Sequence, residues 1–349
     1  MNTSSTKKRI ELCKNVIDMG TIRLSFRYDS QKKNCHYLSS LACKGFENSS
    51  ETKRGEFYRG PFKNSTDNID WFVGITDGAG TFHFCQTKKG VWNFTFKIAQ
   101  SNCNLRLLYH IKSLLGVGSV SVPNSKDDTA EFVILKNQHL IQYILPIFDK
   151  YPLLTSKHFN YIFFREAILI FADPLKSKEQ KDKLITDIKM KSECSTNEIS
   201  PAWGIIDNTV NSVQDAMKVM SKSWVIGFTE VEGSFYLVKK DPQLLLHVFE
   251  LTIKHEVIVL KAIAMILQIN FILHKTSVVV TDSNDIQHIV DFFHKKLKGM
   301  KSLEYRIWAR SFTKKKKEFE YLIDIKNLMK NIPSIRQDKT FKLKKNKQN

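Results

Sequence analysis

No stretch of this 349-residue chain stays apolar for the roughly 20 residues that crossing a bilayer requires. The best runs, residues 161–172, broken by Arg165 and Glu166, and residues 262–273, stop well short, so a membrane-spanning reading is excluded. Cysteine is sparse and scattered. Cys13, Cys35, Cys43, Cys85, Cys103 and Cys194 include no C-x-x-C pair, which argues against a zinc knuckle and a secreted disulfide framework and for a reducing compartment. The histidines stand apart, without zinc-site spacing or an H-E-x-x-H pattern. An apolar signal core is missing from the first residues. Lys7, Lys8, Arg9, Arg23 and Arg27 form only a faint import-signal pattern, diluted by Glu11, Asp18 and Asp29. Acid is also scarce, with 35 Asp and Glu against 54 Lys and Arg and a net charge of +19. Most of that surplus lies in residues 1–66 and 310–349. Such a balance favours a polyanionic partner and is silent on fold.

What is present is a repeat. Asp70-Trp71-Phe72-Val73-Gly74-Ile75-Thr76-Asp77-Gly78-Ala79-Gly80-Thr81-Phe82 recurs as Ser223-Trp224-Val225-Ile226-Gly227-Phe228-Thr229-Glu230-Val231-Glu232-Gly233-Ser234-Phe235, at an offset of 153 residues. The chain therefore reads as a tandem duplication with 42% apolar residues, enough for two cores. Each block is helical in pattern and switches at a glycine to the period-2 alternation of a strand.

Further strands are expected at residues 92–99, 119–122, 130–135, 245–253, 271–274 and 277–281, where β-branched and aromatic residues concentrate. Helical periodicity marks residues 105–115, 139–150, 160–171, 257–267, 285–297 and 303–313. The expected class is α+β, with an αββαββα order twice over. Five segments follow: a basic N-terminal extension (1–66), the first repeat (67–173), a charged helical connector (174–215), the second repeat (216–330) and a basic C-terminal tail of low periodicity (331–349).

Gly74 and Gly78, four apart, share one helical face and would let a second helix approach closely. Packing block on block would bring both helix C-terminal ends together, with Ala79 and Glu232 side by side. A carboxylate there could hold a divalent metal. Either block alone is equally explained as a packing face ending in a glycine cap; two blocks in register demand more.

Across roughly residues 68–330 the chain resembles the single-chain, two-motif members of the LAGLIDADG homing endonuclease and maturase family. The resemblance implies a pseudo-twofold monomer with saddle-shaped antiparallel sheets, cutting double-stranded DNA at an intron insertion site. In that family each motif helix ends in an acid, and the pair binds hard divalent cations, normally Mg2+. One carboxylate per site with phosphate oxygens and waters suits magnesium's octahedral shell. Carried over by local pattern, the metal ligands are Glu232 with the carbonyls of Gly78 and Val231. Gln100, ending Phe96-Lys97-Ile98-Ala99-Gln100, resembles the residue that orients the attacking water. Lys157 and Lys301 resemble the basic residues near the scissile phosphate.

Two departures stand out. Ala79 replaces the first-motif acid, and Ile253 occupies the second copy's glutamine position. Asp77 would point about 200° around a helix of 3.6 residues per turn and should not stand in for Ala79. Paired double-strand cleavage is thereby called into question. The alternative of an RNA-binding maturase that assists its group I intron, and that of a reading frame retaining only the fold, stay open.

One strand face in each copy presents candidates for reading base edges in the major groove: His83, Cys85, Thr87, Lys89, Asn93, Thr95 and Lys97, then Ser234, Tyr236, Val238 and Lys240. The run Lys314-Lys315-Lys316-Lys317 would add salt-sensitive affinity. Relatives of this size commonly come from organelle introns, so the resemblance implies a mitochondrion, with a plastid as the alternative.

Overall fold

The computed structural model describes residues 66–122, 128–193, 198–253, 256–270, 272–274, 277–314 and 318–345. Residues 1–65 of the N-terminal extension and residues 315–317 of the lysine run lie outside the described residues. One compact unit, residues 61–337, contains both copies of the repeat.

The first copy runs α1 (Thr66–Ala79), β1 (Gly80–Gln86), β2 (Trp92–Ser101), α2 (Leu105–Leu115), β3 (Ser119–Ser121), β4 (Thr129–Ile134) and α3 (Leu145–Lys150). Next come α4 (Lys157–Ala172), α5 (Lys178–Glu193) and α6 (Val213–Val219). The second copy runs α7 (Lys222–Glu232), β5 (Gly233–Asp241), β6 (Leu244–Thr252), α8 (Val257–Leu267), β7 (Ile272–His274), β8 (Ser277–Val280) and α9 (Ser283–Phe293), followed by α10 (Lys301–Thr313) and α11 (Phe319–Lys345). The αββαββα order thus occurs twice.

The stretch expected to be helical over 139–150 is helical throughout, with a π-helical segment, Leu140–Ile144, just before Pro146 at the start of α3. Proline has no N–H to donate to the preceding turn, and the wider ladder absorbs that loss. The C-terminal tail expected to lack periodicity from residue 331 is helical to Lys345, because α11 continues through it.

Each copy forms one antiparallel four-stranded sheet, in the orders β1-β2-β4-β3 and β5-β6-β8-β7. The alternation read from the sequence puts Phe82, Phe84, Phe94, Phe96 and Ile98 on the buried face of the first sheet. There Phe82 meets the rings of Phe148, Tyr161 and Phe164 at centroid distances of 5.3, 5.3 and 5.6 Å. Phe235 does the same in the second copy, against Phe249, Tyr305 and Trp308 at 5.2, 5.4 and 5.1 Å. Each such buried side chain contributes roughly 1.5–3 kcal/mol of transfer free energy, so these two clusters anchor the sheets to the helices behind them.

Between the sheets α1 and α7 lie side by side and parallel. At their N-terminal ends Ser223 Oγ donates to Asp67 Oδ1 at 3.1 Å. At their C-terminal ends Gly78 faces Val231 and Glu232. The helices touch through their backbones: a Cβ added to Gly74 would lie 2.2 Å from the carbonyl oxygen of Trp224. The close approach expected from the glycines is what the fold contains.

Candidate metal and nucleic-acid site at the motif helix ends

Each motif helix carries one acid that the fold consumes. Asp77 is buried and accepts from Leu154 N at 2.9 Å, Thr155 N at 3.1 Å, Thr155 Oγ1 at 2.7 Å and Trp224 Nε1 at 2.9 Å. Burial pushes its carboxyl above the usual range, and those four donors pull it back. Glu230 serves the second copy in the same way, accepting from the backbone N–H groups of Lys298 and Gly299. As expected from helical geometry, Asp77 does not replace the missing acid at Ala79.

Those two carboxylates position the turns that precede Lys157 and Lys301, the first residues of α4 and α10. Lys157 Nζ donates to the carbonyl oxygen of Gly78 at 2.9 Å. Desolvation lowers the Lys157 ammonium's pKa, while Asp77, Glu232 and Glu256 hold it up. Lys301 Nζ stands 3.4 Å from Glu304 Oε2. The Glu232 carboxyl is pushed up by burial and pulled down by Lys157 and Lys301 together. Converging helix C-termini add partial negative charge, which favours cations at this junction.

The site is also crossed between the copies. Gln100 Oε1 accepts from Asn104 Nδ2 at 3.1 Å, and Asn104 Oδ1 accepts from Met300 N at 2.9 Å, one residue before Lys301. Reciprocally, Glu256 Oε1 accepts from Ser156 N at 2.6 Å, one residue before Lys157. Sequence reasoning missed Asn104 and Glu256. The repeat offset of 153 would map Asn104 to 257, and a one-residue slip hid the equivalence.

The strand faces are asymmetric. On the first sheet Thr81 pairs with Lys97, His83 with Thr95 and Cys85 with Asn93 along the outward face. Lys97 is ion-paired to Glu131 at 2.9 Å. Thr87 and Lys89 do not belong to this face but to the hairpin turn, where Thr87 Oγ1 accepts from Val91 N at 3.1 Å. On the second sheet Ser234 pairs with Glu250, Tyr236 with Val248 and Val238 with Leu246, and Lys240 lies at the strand's exposed end beside a bulge. Glu250, also missed, accepts from Tyr236 Oη at 2.9 Å. Period-2 alternation along residues 246–252 would have found it.

Residues 72–168 match the family described as LAGLIDADG endonuclease. The chain is 34% identical over 277 residues to "Probable intron-encoded endonuclease Cox1-I1b" of Schizosaccharomyces pombe, covering 75% of this chain and 68% of that protein. The chain belongs to the LAGLIDADG endonuclease family. It is also 28% identical over 168 residues to "Uncharacterized mitochondrial protein RF1" of Saccharomyces cerevisiae, 47% of this chain and 31% of that one. Its fold is that of I-SmaMI, solved bound to an uncleaved DNA target in the presence of calcium ions. The two share 23% identity and a TM-score of 0.60, over 76% of this chain and 98% of the other.

LAGLIDADG membership raises a divalent metal, and the residues at the junction fit one unevenly. Among the described residues no group of three or more His, Cys, Asp or Glu could hold an ion alone, so phosphate oxygens would have to complete a shell. Glu232, with Val231 at the end of α7, supplies a hard carboxylate on the second-motif side. The first-motif side does not fit. Ala79 offers a methyl group, and the Gly78 carbonyl already accepts from the Lys157 ammonium, which repels a cation at that oxygen.

Proposed function

We propose that this chain is an intron-encoded, site-specific endonuclease of double-stranded DNA, acting in a mitochondrion and using a hard divalent cation, normally Mg2+. The observation that supports this reading is the parallel helix pair, whose C-terminal ends meet at Glu232, a carboxylate that feels the charges of both Lys157 and Lys301. The relatives' names support cleavage over the alternative of an RNA-binding maturase acting on the intron transcript.

In this reading Val231 and Glu232 would hold the cation, which when bound would supply Lewis-acid charge at the scissile phosphate. Lys157 and Lys301 offset negative charge on the phosphates and position them by fixed ammonium groups. Gln100 orients the water. Thr81, His83, Asn93, Thr95 and Lys97 read one half of the target through the major groove, and Ser234, Tyr236 and Glu250 the other. Glu250 suits the amino group of cytosine, which only an acceptor can satisfy.

The test is incubation of the purified full chain with Mg2+ and DNA carrying the joined exon sequences that flank its reading frame. Cleavage at the junction is expected. Tight binding to the intron transcript with no scission of the DNA would move the function to RNA.

A further inference from the structure

The two departures from the family pattern, Ala79 and Ile253, lie in different copies, which on a simple reading would damage both active halves. The hydrogen bonds assign them otherwise. Gln100 is joined through Asn104 to Met300, and so to the start of α10 and Lys301. Ile253 lies three residues before Glu256, which is joined to Ser156, and so to Lys157. Lys157 in turn is bonded to the Gly78 carbonyl, on the peptide that leads into Ala79.

We propose, building on the endonuclease reading, that the active halves are crossed between the copies and that only one is complete, so that this chain nicks one DNA strand instead of cutting both. The complete half contains Gln100 and Lys301 and draws on Glu232 at the junction, whose carboxylate feels both Lys157 and Lys301. The deficient half takes both substitutions, a methyl group at Ala79 and an apolar side chain at Ile253, and its Gly78 carbonyl is already bonded to the Lys157 ammonium. Asp77 cannot rescue it, since four donors engage its carboxylate. In the complete half one water adds across one phosphorus–oxygen bond. Its oxygen bonds phosphorus, the departing sugar oxygen takes up one proton, and the other proton passes to solvent.

The experiment uses the full chain, Mg2+ and a supercoiled plasmid carrying the joined flanking exons, beside a linear duplex labelled separately on each strand. Open circles should accumulate without matching linear product, and one labelled strand should be cut. Gln100→Leu should slow that nick on the order of 100-fold. The double variant Ala79→Asp with Ile253→Gln should gain cutting of the second strand. Calorimetric titration with Ca2+ on the DNA complex should show at least one more ion bound by the double variant than by the wild type. Equal cutting of both strands by the wild type, or equal Ca2+ stoichiometry in a folded double variant, overturns the assignment. DNA that is bound but cut on neither strand overturns the endonuclease reading itself, and this inference with it.

Discussion

A Cβ on Gly227 would lie 2.0 Å from the carbonyl oxygen of Trp71. The helices α1 and α7 therefore meet backbone to backbone at this point, and backbone cannot yield as a flexible side chain can. Gly227→Ala should destabilise the fold by about 3 kcal/mol or more, at the upper end of overpacking costs. Urea unfolding checks it, and a change under about 1 kcal/mol would mean that the helices slide apart easily.

Asp77 illustrates why the fold keeps an acid that chemistry does not use. Asp77→Asn would aim an amide N–H₂ at donors that now bond a carboxylate, leaving at least one buried donor unpaired. A loss of about 1–3 kcal/mol is expected, read by thermal unfolding, with cleavage reduced because the turn before Lys157 loosens.

Glu232→Gln keeps the shape but removes the carboxylate at the end of α7. Cleavage should fall by at least about 100-fold, while DNA affinity, measured by filter binding, should change little. Undiminished cleavage in this variant would place the catalytic group elsewhere.

Binding should weaken steeply with salt. A chain of net charge +19 that contacts several phosphates releases their counterions, so affinity should drop by orders of magnitude between low and moderate salt. A flat titration in a mobility-shift assay would exclude phosphate contacts as the main source of affinity.

His110 packs edge-on to Trp71 at 5.2 Å. Burial, then the charges of Lys298 and Arg106, lower its pKa below the usual 6.5. The unfolded chain therefore takes up the proton first as pH falls. The stability tied to a neutral His110 is fully present above 6.5 and is lost as pH drops below it. The raised carboxyls of Asp77 and Glu230 act with the opposite sign, so the comparison must isolate the histidine. His110→Phe should lose less Tm than the wild type between pH 7.5 and 5.5.

Much of this protein was legible in its sequence because secondary structure and sheet faces follow from local periodicity. The helices expected at 105–115 and 257–267 occur with those bounds, since the apolar positions of each recur at helical spacing within a few residues. The duplication was legible for a related reason: a repeated block needs only self-comparison, and Ala79 shows itself wherever its partner Glu232 is aligned with it. Hairpin geometry was less accessible, and Thr87 and Lys89 were lost to a turn that strand alternation ran through.

Which segments of the two copies meet was decided by the tertiary structure alone. The bonds from Asn104 to Met300 and from Glu256 to Ser156 span 196 and 100 residues. No local pattern encodes contacts at such separations. They exist because α1 and α7 pack in parallel and carry the end of each copy's second strand to the other copy's lysine turn. The sequence determined which residues are present and which are missing; the packing of two glycine-lined helices determined which turns of the two copies are bonded to each other.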